Sequence, residues 1–397
     1  MLGRFNSSGV VLEQMVLMIK QGNINAQNVV LEIQKFIALK KINPLDAKNI
    51  DEIYKLAKEI AKNPNSEFAK AIKGNSELIE GWAVLHKSGA DEATKLGKFE
   101  EMKGFMDSPA NKGKSIDDLA KEVKDFGGYK EWVKYEKMGG LVRHKIDADL
   151  LDELSKIEVN ANNLDAIEAI IVKKKTDEIG FLFDKDGKLL AGPLTSQKSK
   201  KGVSIPFPDV AKQLETKFGI NRDGLKGSSF THNHPIDGEL SNSNYLQIFK
   251  NDQTDWTPGT FSWADLDNAT KLQQKEIRAT TELGHTFILR NADKSKSLPD
   301  VHGDVYDLHD GWRNALDGRH TGENSLLYLD DAYDITAKEV ESLYQLAKKR
   351  ANSAGEGLFD LEDFVDHEIW KLVVNTINKQ AKKRNKGYQL YYDVLKK

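Results

Sequence analysis

The chain has 397 residues, 39% hydrophobic and 30% charged, which is globular material long enough for two or three domains. Lys and Arg (58) nearly balance Asp and Glu (61), and the net charge of −3 provides no overall basic field of the kind that draws a protein to nucleic acid. With no cysteine, disulfides, thiolate zinc sites, iron–sulfur clusters and cysteine nucleophiles are excluded, so any zinc must be held by His, Asp or Glu.

The opening "MLGRFNSSGVVLEQMVLMIKQGN" is interrupted by Glu13, Gln14 and Lys20 and lacks the apolar core of a signal peptide. No run approaches the ~20 apolar residues that a membrane span needs. The expectation is a cytoplasmic protein, with any export following a route that needs no signal peptide. Residues 11–126 repeat apolar side chains at three- and four-residue steps, as in "NVVLEIQKFIALKK", and predict a helical module punctuated by Pro44, Pro64 and Pro109.

After "LLDELSKIEVNANN" the pattern shifts to short runs, "AIEAIIV", "EIGFLFD" and "KLLAGPL", which read as strands and place a domain boundary near residue 158. "DKDG" at 184–187 supplies the Asp-Gly of a tight hairpin turn. A helix "PDVAKQLETKFG" ending at Gly219 follows, then a strand "SSFTHNH", a helix opening at "SWADLDNATKLQQ", and strands "EIRATTE" and "HTFILR". From about residue 293 the spacing is helical again, in "AKEVESLYQLAKKR" and "HEIWKLVVNTINKQAKKR". "DHEIWK" (366–371) lacks the second histidine of His-Glu-x-x-His and reads as a helix face; His309 and His320 read as loop residues. Strands and helices mix without a strict βαβ rhythm, which predicts an α+β fold. The expected organisation is a helical N-terminal domain 1–158, a core 159–292 and a helical region 293–397.

Successive side chains of a strand alternate faces, so His232 and His234 point one way and Asn233 the other. Two imidazoles can then converge on one ion, and a catalytic zinc needs a third protein ligand with the fourth position left to water. Asp265 is the natural candidate. It stands three residues after Ser262 at the start of a helix, on one face of the first turn, a spacing that also reads as a capping box.

Taken together, His-x-His-Pro followed by Ser-x-x-Asp resembles the JAMM motif of the JAB/MPN family of zinc metalloproteases, from about residue 165 to residue 290, and looks closest to bacterial toxin-like and phage-associated versions. The resemblance implies a JAB/MPN-like mixed sheet with flanking helices. It makes His232, His234 and Asp265 the Zn2+ ligands, Glu178 the residue that takes a proton from the bound water, and Ser262 a hydrogen-bond donor to the oxyanion. Strand alternation favours Glu178 over Asp177, because Ile179, Phe181 and Phe183 form one apolar face and leave Glu178 with Gly180 on the other.

The implied reaction is hydrolysis of peptide or isopeptide bonds, next to ubiquitin-like tails among others. The implied partners are a protein or peptide substrate and, for a toxin-like version, secretion machinery or a cognate immunity partner; neither nucleic acid nor membrane is implied. Two other expectations fit the same motif: a leaderless effector whose JAMM domain processes its own chain, and a phage assembly or structural protein with a non-catalytic JAMM fold. The sequence departs from the family pattern in the insertion 236–260, between the His-Pro turn and Ser262. Its length and its Tyr245, Phe249 and Trp256 predict either a flap over the cleft or a surface loop with those aromatics packed on its own domain.

Overall fold

The structure, a computed structural model, describes residues 67–396 apart from 73–74, 76, 175–176, 196–204, 235–260, 262, 282–284, 302, 306, 310, 313–314, 316–334 and 354–357. The helices expected before residue 67, Ser262, His320 and the insertion 236–260 with its flap lie outside the described residues. Contacts divide the chain into two units, with the break after Glu136. Among the described residues no helix is long and apolar enough to cross a membrane.

The first unit is helical, as the periodicity predicts: α1 Glu67–Ile72, α2 Leu78–Lys87, α3 Glu92–Gly97, α4 Phe99–Met106, α5 Ile116–Asp125 and α6 Tyr129–Met138, whose last turn crosses the break. Local chemistry sets the starts. The Asp91 carboxylate accepts the Thr94 N–H at 2.7 Å, and Ser115 forms a capping box with Asp118. Phe68, Trp82, Phe99, Leu119, Val123 and Trp132 fill one core. Gly81 lets α2 approach α4 closely, since a Cβ there would stand 2.1 Å from the Phe99 carbonyl oxygen.

The second unit is built on a six-stranded mixed sheet, ordered β2-β1-β3-β4-β5-β6, with β1 Ile179–Phe183, β2 Leu189–Thr195, β3 Ser229–His234, β4 Glu276–Thr281, β5 His285–Asn291 and β6 Leu390–Lys396. All neighbours are antiparallel except β3 and β4. A parallel pair needs a crossover, and α10 Trp263–Lys271 supplies it. The α+β class is therefore as expected. The DKDG hairpin forms as expected too, with the Asp184 N–H bonded to the Lys188 carbonyl at 2.8 Å and Gly187 at φ +84°.

Around the sheet stand α7 Ala148–Leu154, α8 Leu164–Ile171, α9 Phe207–Phe218, α11 Ala337–Ser353 and α12 Leu358–Lys383. One sheet face, with Phe230, Ile277, Phe287 and Leu289, joins Val210 and Leu214 of α9, Leu266 and Ala269 of α10, and Trp370, Val373 and Ile377 of α12 in a single core. α9 ends as its sequence predicts, at Gly219 in the left-handed conformation (φ +70°).

Three expectations need correction. The run "AIEAIIV" forms α8 rather than a strand, because Leu164, Ile167, Glu168 and Ile171 recur at helical spacing and all four are buried. The region from 293 onward is not helical throughout: its residues 390–396 form β6, which pairs along its whole length with β5. His309 sits in a short helical stretch rather than a loop, stacked on Trp370 with centroids 4.7 Å apart.

Candidate metal centre

β3 lies in the middle of the sheet, between β1 and β4, and its alternation is as read from the sequence. His232 stands opposite Gly180 of β1 and Ala279 of β4, on the face that α10 covers. Phe230, two residues earlier on the same face, stacks on the His232 ring with centroids 5.0 Å apart and limits its rotation. His232 is fully buried and His234 is partly exposed at the end of the strand. Asp265 enters from above, in the first turn of α10, where the helix dipole favours a negative charge.

The structure brings together the four predicted site residues that it describes; the fifth, Ser262, lies outside the described residues. One ligand atom from each of Glu178, His232, His234 and Asp265 lies within 4.8 Å of the others, the only such group of His, Asp and Glu among the described residues. The two Nε2 atoms are 2.9 Å apart, His232 Nε2 is 3.3 Å from Asp265 Oδ1, and His234 Nε2 is 3.3 Å from Asp265 Oδ2. Glu178 Oε1 is 3.7 Å from His232 Nε2.

These separations suit a zinc ion. Tetrahedral ligands at about 2.0–2.1 Å from zinc stand roughly 3.3 Å from one another, and nitrogen and oxygen donors are the kind zinc takes. Two carboxylates this close also repel unless positive charge lies between them. His232 Nδ1 is buried with no hydrogen-bond partner among the described residues.

The two carboxyls are pushed in opposite directions. Burial raises Glu178 above the usual carboxylate range; His232 opposes this and Asp265 adds to it. Burial also works to raise Asp265, but the imidazoles of His232 and His234 outweigh it and hold that carboxyl well below its ordinary value.

Glu178 immediately precedes β1. Its other oxygen, Oε2, accepts the Ile205 N–H at 3.2 Å. Of the two adjacent acids Glu178 belongs to the cluster, while the Asp177 carboxylate pairs with Lys174 at 3.3 Å. Gly180 has a role the sequence did not reveal. Ile205 crosses the strand over it, and a Cβ at 180 would lie 2.5 Å from Ile205 Cδ1 and 2.8 Å from the Phe230 ring. Gly180→Ala is therefore expected to cost about 1–3 kcal/mol by overpacking and to displace the Ile205 amide from Glu178. Denaturant unfolding with parallel zinc analysis checks this: lower stability with zinc retained is expected.

Behind the site, a polar network anchors the reverse face of β3. Glu168 of α8 is fully buried and bonds Arg278 through both oxygens, at 2.6 and 3.0 Å. Thr231, between Phe230 and His232, donates to Glu168 at 2.8 Å, and Thr286 of β5 donates at 3.3 Å. Sequence reading missed this network; its only signal was a carboxylate on the apolar face of α8. Compared with models of known protein families, with curated proteins and with solved structures, the chain matches none.

Proposed function

We propose that this chain is a zinc-dependent metallopeptidase or isopeptidase of the JAB/MPN type, hydrolysing peptide or isopeptide bonds. The observation that carries the reading is the convergence of Glu178, His232, His234 and Asp265, three sequence-distant segments meeting at one buried point with zinc-type donors. His232, His234 and Asp265 would hold the ion. Bound there, zinc supplies a water acidic enough to ionise near neutral pH.

The chain's own residues do the rest. Glu178 accepts the proton of the attacking water and returns it to the leaving amine. The Ile205 amide holds one of its oxygens and leaves the other toward the histidines. Asp265 and the two imidazoles would hold the ion in a largely buried setting, where charge interactions are strong. In the same reading Ser262 donates a hydrogen bond to the oxyanion. A protein substrate, with ubiquitin-like tails as one class, follows from the family resemblance.

The test is cleavage of a panel of peptide- and isopeptide-linked substrates, ubiquitin-linked chains included. Cleavage is expected to stop when 1,10-phenanthroline removes the metal and to return with added Zn2+. Cleavage that survives metal removal, or that Mg2+ alone restores, contradicts the reading.

A further inference from the structure

The residue between the two histidines has its own set of contacts. Asn233 is 1% exposed and points to the opposite face of β3 from His232 and His234. Its Oδ1 accepts the Ile179 N–H at 2.6 Å, and its Nδ2 donates to the carbonyl oxygens of Lys174 at 3.0 Å and Asp177 at 3.2 Å. Two of these three backbone groups belong to the residues on either side of Glu178. Lys174, Asp177 and Glu178 lie outside α8 and β1. A side-chain amide is the group that offers an acceptor and two donors at once; an apolar side chain of the same size would leave these backbone groups without it.

We propose that Asn233 is a positioning residue: it ties the backbone on both sides of Glu178 to the strand that carries His232 and His234, so that one strand sets both the imidazole ligands and the proton acceptor. The role rests on the metallopeptidase reading. Its physical content is that the distance between Glu178 and the metal is fixed through Asn233, not through β-ladder bonds at residue 178.

The test uses the full chain loaded with Co2+, whose visible absorption reports the ligand set, and acetohydroxamate as the probe. A hydroxamate chelates the metal through two oxygens and gives its proton to a neighbouring carboxylate, so its affinity reads the position of Glu178. In Asn233→Leu, cobalt content is expected to stay at the wild-type level. Exchange of the Ile179 amide should speed up about tenfold, as a lost buried hydrogen bond implies. Acetohydroxamate affinity should fall about tenfold, and combining the change with Glu178→Gln should produce no further fall, the non-additivity of two residues acting as one.

Asn233→Ser, which keeps a hydroxyl for one of the three bonds, should fall between wild type and Asn233→Leu, and it carries the test if the leucine variant does not fold. Loss of cobalt from both variants, unchanged hydroxamate affinity, or fully additive effects overturn the proposal while leaving the metal reading intact. Wild-type protein that binds no cobalt overturns the metallopeptidase reading itself, and with it the positioning role.

Discussion

Glu178→Gln is expected to leave zinc bound and to lower hydrolysis by a factor on the order of 10²–10⁴, the usual worth of a positioned general base. The amide keeps the size of the carboxylate and can still accept the Ile205 N–H, so local packing is preserved. What it loses is the capacity to take a proton. Glu178 Oε1 stands 3.7 Å from His232 Nε2, against 3.3 Å for Asp265 Oδ1. Asp177 offers no substitute, because its carboxylate is paired with Lys174. Zinc analysis beside kinetics on the same preparation separates the outcomes. Zinc lost with activity would make Glu178 a ligand, and unchanged activity would place the base elsewhere.

The second large effect concerns stability. Glu168→Ala removes a fully buried carboxylate that holds Arg278 through both oxygens and receives the hydroxyls of Thr231 and Thr286. Breaking one side of a buried ion pair costs about 3–5 kcal/mol, because a charge is left without its partner. The lower end is expected here, since Asp165 at 2.9 Å and Glu276 at 3.4 Å still touch the guanidinium. Replacing both members, as in Glu168→Leu with Arg278→Met, should recover most of the loss, because an apolar pair needs no compensation. Denaturant unfolding of the single and double variants checks this. A double variant as unstable as Glu168→Ala would mean that the threonine contacts, not the charge pair, carry the energy.

The parts of this molecule legible in the sequence were those written in local pattern. Alternation placed His232 and His234 on one face of β3, the Asp-Gly turn joined β1 to β2, and Gly219 closed α9. The Ser-x-x-Asp spacing put Asp265 in a first helical turn. What local pattern could not give was pairing across distance. Glu168 lies 110 residues from Arg278, and its buried charge broke the apolar stripe that would have marked α8 as a helix. β6 was hidden because its strand formers, Tyr391, Tyr392 and Val394, come only a short loop after a basic helical end, and only its pairing with β5 gives them a structural reason. The Ile205 amide on Glu178 and the space over Gly180 are likewise products of the fold alone.

Whether His232, His234 and Asp265 hold a metal is read from zinc content, by elemental analysis of wild type and of His234→Ala. Wild-type protein purified without chelator is expected to carry about one zinc per chain, with nitrogen and oxygen ligands at about 2.0–2.1 Å by X-ray absorption at the zinc edge. His234→Ala, which removes one of two imidazoles standing 2.9 Å apart, is expected to carry almost none. No zinc in the wild type, or equal zinc in both proteins, would mean that these three residues are not a zinc site.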